Sequence, residues 1–121
     1  MKVKIDTKEK MHVITITEKN LAANMTEEIK QNLLKYLGEP VANVIVNLKN
    51  IAEIEPEAAQ TLAFVQQKFY EQNHSMVFCE LQPEVTAFLD KTGFLETLNV
   101  TPTESEAYDM VQMEEIEREL L

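Results

Sequence analysis

Cysteine occurs once in the 121 residues, as Cys79. One thiol cannot build an internal disulfide framework, so the chain reads as an intracellular protein kept reduced. Cys79 also closes the apolar run Met76 to Cys79, which marks it as a buried strand residue and not a reactive thiol. Long apolar runs are missing too. Nothing approaches the roughly 18 residues that a membrane span needs, and the opening MKVKIDTKEK has no signal-peptide core. The expectation is a cytoplasmic protein with no membrane span. Basic side chains are scarce, with 11 Lys and Arg against 21 Asp and Glu and a formal net charge of −10. Phosphate binding needs clustered cations, so no nucleic-acid partner is expected and anionic membranes should repel the chain. The charge serves either a protein partner with a basic patch or solubility alone.

What is present is organised around Val41 to Gln72. Val44, Ile45 and Val46 are consecutive β-branched residues, which suit a central strand covered on both faces. Pro56 fits a first helical turn, where its missing N–H would have no partner, so a helix starts near Glu55 to Glu57. Ala58, Leu62, Val65 and Phe69 then recur at helical spacing, with Ala59, Ala63 and Tyr70 alongside, and form the face that packs on the strand. The turn between strand and helix places Glu53, Glu55 and Glu57 around a helix N-terminus, where negative charge is favoured. This turn is the first candidate site.

Before it, Val3 and Ile5 alternate with charged residues, and Val13, Ile14 and Ile16 lie among threonines, predicting two strands joined as an antiparallel hairpin across Lys8 to Lys10. A first helix is expected over Met25 to Leu37, capped by Asn24 with Glu27 or by the rival Thr26, and stopped by Gly38 and Pro40. After the centre come a buried strand at Ser75 to Glu80, parallel to the central strand, and a short helix opened by Pro83 and closed at Gly93. A short strand at Leu98 to Thr101 precedes a terminal helix at about 103–121 capped by Thr103 and Glu106. That helix is acidic, and its apolar residues drift round it instead of holding one line. One domain, 1–121, is expected.

The order of elements predicts an α/β domain with a mixed sheet of about five strands and about four helices mainly on one face. The runs Leu48 to Leu62, LKNIAEIEPEAAQTL, and Leu81 to Leu98, LQPEVTAFLDKTGFLETL, resemble the STAS domain, the fold of bacterial anti-sigma factor antagonists. Pro83, Val85, Leu89, Thr92, Gly93 and Phe94 match the family's later Pro-opened helix and Gly-Phe turn. The resemblance implies a small module that docks on an anti-sigma factor, typically a serine kinase, and is switched off by phosphorylation. It aligns Glu55 with the Asp of the switch motif, Pro56 with the first Ser, Glu57 with the phosphorylated Ser or Thr, and Ala58 with the Gly. No hydroxyl stands at the switch. Glu57 either mimics a phosphorylated state with a smaller charge or serves only as a helix-start residue.

The partner-binding residues implied are Asn50, Glu53, Glu55, Pro56, Glu57, Ala58 and Thr61, the last being the nearest hydroxyl. Glu53, Glu55 and Glu57 could also gather a hard cation, but the segment has no glycine for a calcium loop, and no nucleophile, base and oxyanion donor accompany it. His12 and His74 lack Cys or His at ligand spacing, and His74 is placed late in its helix, where it favours the C-terminal dipole. No catalytic residue, metal or cofactor is therefore expected. A receiver domain is excluded because position 47 is Asn and a hairpin precedes the first helix. The alternative function is a structural or ligand-sensing STAS-like module that assembles with a second copy, a homodimer, or within a larger complex.

Overall fold

The computed structural model describes all residues, Met1–Leu121. Strands β1 (Val3–Thr7) and β2 (Met11–Ile16) form the expected antiparallel hairpin, with Val3 opposite Ile16 and Thr7 opposite His12. The main sheet continues through β4 (Asn43–Asn47), β6 (Met76–Cys79) and β7 (Val100–Thr101), in the order β1-β2-β4-β6-β7. Every pairing after the hairpin is parallel. β4 is buried along its whole length, as its run of β-branched residues requires. A separate two-stranded sheet pairs β3 (Asn20–Leu21) with β5 (Glu53–Ile54).

Alternation along the strands divides the core in two. Ile14, Ile16, Val44, Val46, Met76 and Phe78 face α1 (Thr26–Leu34), α2 (Pro56–Glu71) and α3 (Pro83–Lys91), whose Ile29, Leu33, Leu62, Val65, Phe69, Val85 and Leu89 complete a cluster of 21 buried residues. Met11, Val13, Ile45, Val77 and Cys79 face the other way and are covered by Ala107 and Val111 of α5 (Glu104–Leu120). The helices thus lie mainly on one face, with α5 alone on the other. The short α4 (Phe94–Thr97) follows Gly93, whose φ of 84° is the left-handed conformation expected there.

The first helix is shorter than expected and differently capped. A 3-10 turn at Ala23–Met25 precedes it, Met25 is its N-cap, and neither Asn24 nor Thr26 caps it through a side chain. The N–H of Ala23 instead donates to Glu55 Oε1 at 2.7 Å, a partner 32 residues away. At the other end the backbone tightens into a 3-10 turn over Lys35–Gly38, which seats Tyr36 against the His12 ring at 4.6 Å. His74 also differs from expectation, because α2 ends at Glu71 and it is the His74 backbone N–H that reaches the helix, donating to Phe69 O at 2.9 Å. The N–H of Asn73 donates to Tyr70 O at 3.1 Å, and Asn73 takes the left-handed position at φ 62°, completing a Schellman ending with Asn in the glycine place.

Candidate functional site

The turn from β4 to α2 is pinned at three levels. Asn47 Oδ1 accepts the N–H of Lys49 at 2.9 Å, an Asx turn that ends the strand. The buried Ile51 and Ile54 then hold the segment to the core, while its backbone docks on the connector before α1. Glu55 N–H donates to Leu21 O at 2.8 Å, and Ala52 N–H donates to Lys19 O at 2.6 Å. From the other side, Gln82 Nε2 at the start of α3 donates to Lys49 O at 2.9 Å. The turn is a braced platform.

On that platform Asn50, Glu53, Glu55, Pro56 and Glu57 are exposed, while Ala58 and Thr61 are buried beneath them. Thr61 is 7% exposed, and its hydroxyl donates to Glu57 O at 2.9 Å. It supports the first turn and offers the surface no free hydroxyl. The three glutamates separate instead of converging. Glu53 lies on β5, Glu55 turns its carboxylate to the 3-10 turn before α1, and Glu57 stands in the first turn of α2, at the positive end of the helix dipole. No group of three Asp, Glu, His or Cys side chains is gathered to hold a metal ion. A carboxylate at the Glu57 position interacts favourably with the helix dipole by about 0.5 kcal/mol.

The outer face of α2 continues the exposed strip. Gln60 and Phe64 follow Glu57 at spacings of three and four, and Phe64 is 41% exposed. Lys30 of α1 and Lys68 of α2 hold their ammonium groups 5.4 Å and 5.2 Å from its ring centre. The strip therefore runs from carboxylates at the helix start to an aromatic ring flanked by cations. Phe64 was not among the residues that the sequence singled out, and its position outside the apolar period Ala58, Leu62, Val65, Phe69 is the signal that could have found it.

The sequence of the chain matches the family model of the STAS domain over residues 2–107. The chain belongs to the STAS family. Solved STAS structures share its architecture at low identity. An anti-sigma factor antagonist from Mycobacterium paratuberculosis superposes with a TM-score of 0.78 at 13% identity, over 92% of this chain and 93% of that one. A serine-to-glutamate variant of RsbS from Moorella thermoacetica gives 0.75 at 15% identity, over 93% and 96%. The anti-sigma factor antagonist SpoIIAA in its unphosphorylated form gives 0.71 at 15% identity, over 92% and 96%. No curated protein matches the sequence. No helix of this STAS domain is long and apolar enough to cross a membrane.

Two further polar clusters of the STAS domain are joints between its elements. The Tyr70 hydroxyl donates to Glu114 Oε1 at 2.7 Å and accepts from Asn99 Nδ2 at 2.8 Å, while Gln66 accepts the Asn99 N–H at 2.8 Å and donates to Thr97 O at 3.0 Å. Burial, and then the Glu114 carboxylate, push the Tyr70 phenol well above its usual range. At the end of β6, Glu80 and Glu104 flank Cys79, whose thiol is pushed up to about 12 by burial first and by those two charges second. Such a thiol is not a nucleophile at neutral pH. No buried side-chain nitrogen or oxygen is left without a hydrogen-bond partner, so neither cluster has a polar atom waiting for a ligand.

Proposed function

We propose that this STAS domain is a non-catalytic, cytoplasmic regulatory module that docks on an anti-sigma factor or a serine kinase of that type. The docking surface is the braced turn of Asn50, Glu53, Glu55, Pro56 and Glu57, supported by Ala58 and Thr61 and continued along α2 to Phe64. The observation that carries this reading is the exposure of Glu57 in the first turn of α2, at the position that the family resemblance aligns with the phosphorylated hydroxyl. A permanent carboxylate there removes phosphorylation as the means of release. It supplies one negative charge in place of the roughly −1.5 to −2 of a phosphate. A serine-to-glutamate variant of RsbS is among the structures that share this fold.

The test is capture from the native host with wild-type protein and the Glu55→Ala/Glu57→Ala double variant, followed by mass spectrometry and titration of the recovered partner. An anti-sigma factor or serine kinase bound by the wild type, with affinity altered in the double variant, supports the reading. Recovery of the chain alone, or of partners insensitive to the substitutions, overturns it. In the same system Glu57→Ser restores a hydroxyl but leaves Pro56 and Ala58 in the motif. Phosphate transfer to that variant is expected to be slow or absent, and efficient transfer would mean that the motif's glycine is dispensable.

A further inference from the structure

α5 presents two different faces. Ala107 and Val111 are fully buried against the sheet, whereas Met113, Ile116 and Leu120 are 61%, 56% and 81% exposed. The exposed three recur at spacings of three and four, so they form one stripe on the side of the helix away from the sheet. Exposed carboxylates share that side, with Asp109 one turn before Met113 and Glu117 one turn after it. Cations do not. α5 carries no lysine, and Arg118 is turned inward, donating to Ser75 Oγ at 2.7 Å and to Glu115 Oε1 at 3.2 Å.

We propose that this stripe is a second docking surface, for a basic amphipathic helix of a different protein. The stripe supplies an apolar seam that includes an adaptable methionine, and the carboxylates beside it complement a lysine- or arginine-rimmed helix. A second copy of the chain fits poorly, because pairing two such faces brings Asp109 and Glu117 of one copy against those of the other in a net −10 protein. The stripe lies on the opposite side of the sheet from α1, α2 and α3, so its occupant does not compete with one held at the Glu57 turn. Docking on α5 stands independently of the reading of that turn; where both surfaces are occupied, the domain joins two proteins.

The probe is a synthetic Leu/Lys amphipathic helical peptide of about five turns, titrated into the isotope-labelled full chain and followed by NMR. A Ser/Lys peptide of equal charge is the control for attraction by net charge alone. The expected result is perturbation centred on Met113, Ile116 and Leu120, with binding weakened about tenfold or more in Met113→Ser/Ile116→Ser and little or no binding of the control peptide. Asp109→Asn/Glu117→Gln, which leaves the apolar stripe intact, is expected to weaken binding in a salt-dependent manner. Equal binding by the control peptide, or perturbation elsewhere on the surface, overturns the proposal. A wild-type chain that sediments as a dimer, and as a monomer in Met113→Ser/Ile116→Ser, overturns it as well by identifying a second copy as the occupant.

Discussion

Glu80 Oε2 accepts the backbone N–H of Glu104 at 2.7 Å, so the residue just after β6 satisfies the first N–H of α5 from 24 positions away. Glu80 does this from a left-handed backbone at φ 60°, a conformation that costs a non-glycine residue about 1 kcal/mol or more. Glycine would relieve that cost and forfeit the bond. Alanine would keep the cost and still forfeit the bond. Glu80→Ala is therefore expected to lose about 1 to 2 kcal/mol, and Glu80→Gly to lose about 1 kcal/mol less. Urea unfolding of the two variants measures the difference, and equal losses would mean that the left-handed backbone carries no cost here.

Leu62 is the central residue on the inner face of α2 and is fully buried. Leu62→Ala removes its contacts with the larger core and leaves a void among neighbours that cannot all collapse. A loss of about 2 to 5 kcal/mol is expected in chemical denaturation. A loss well below that range would show that the α2 face repacks readily.

Arg118 joins the last turns of α5 to the sheet through Ser75 Oγ at 2.7 Å and Asn43 Oδ1 at 3.4 Å. Arg118→Gln removes the charged donor and is expected to cost about 1.5 to 3 kcal/mol. Hydrogen exchange should accelerate in the C-terminal half of α5 before it does so in β4 or β6. Uniform acceleration would instead mean that α5 and the sheet open as one unit.

Cys79 and Tyr70 both have folded-state pKa values raised above their ordinary ones, chiefly by burial. For an acid whose folded pKa is raised, the folded state holds the proton longer, so stability falls as pH climbs past the unfolded value. For Cys79 the loss begins near 9.0 and continues towards about 12. Unfolding free energy should therefore decline above about pH 9, and the decline should be shallower in Cys79→Ala. A thiol reagent at pH 8 should react with the native protein only at the rate of unfolding. Rapid labelling of the folded chain would contradict the burial of Cys79.

The strand-helix-strand centre was legible because its signals are local and repeated. Val44 to Val46 require cover on both sides, Pro56 marks a helical first turn, and Ala58, Leu62, Val65 and Phe69 keep one period. Membership of the STAS family was legible from the Leu48 to Leu62 run together with the Pro83 to Phe94 run. What the sequence hid was non-local. Asn24 has the right spacing for a cap, but it lies inside the 3-10 turn Ala23–Met25, so α1 starts from Met25, and the N–H of Ala23 that opens that turn is taken by Glu55 from a distant segment. The apparent drift of apolar residues along α5 is two stripes superposed, Ala107 and Val111 facing the sheet and Met113, Ile116 and Leu120 facing out. Periodicity alone does not separate an inner stripe from an outer one when both are apolar. Glu80 and Asn73 take left-handed positions that composition would have given to glycine.

The assignment of one sheet face to α5 alone bears on how the chain is made. Synthesis from the N-terminus completes all five strands of the main sheet before Glu104–Leu120 follows. During that interval Met11, Val13, Ile45 and Val77, the residues that α5 covers, have no counterpart on their side of the sheet. A released chain that ends at Thr103 would present them as a sticky plane suited to capture by chaperones or by other unfolded chains.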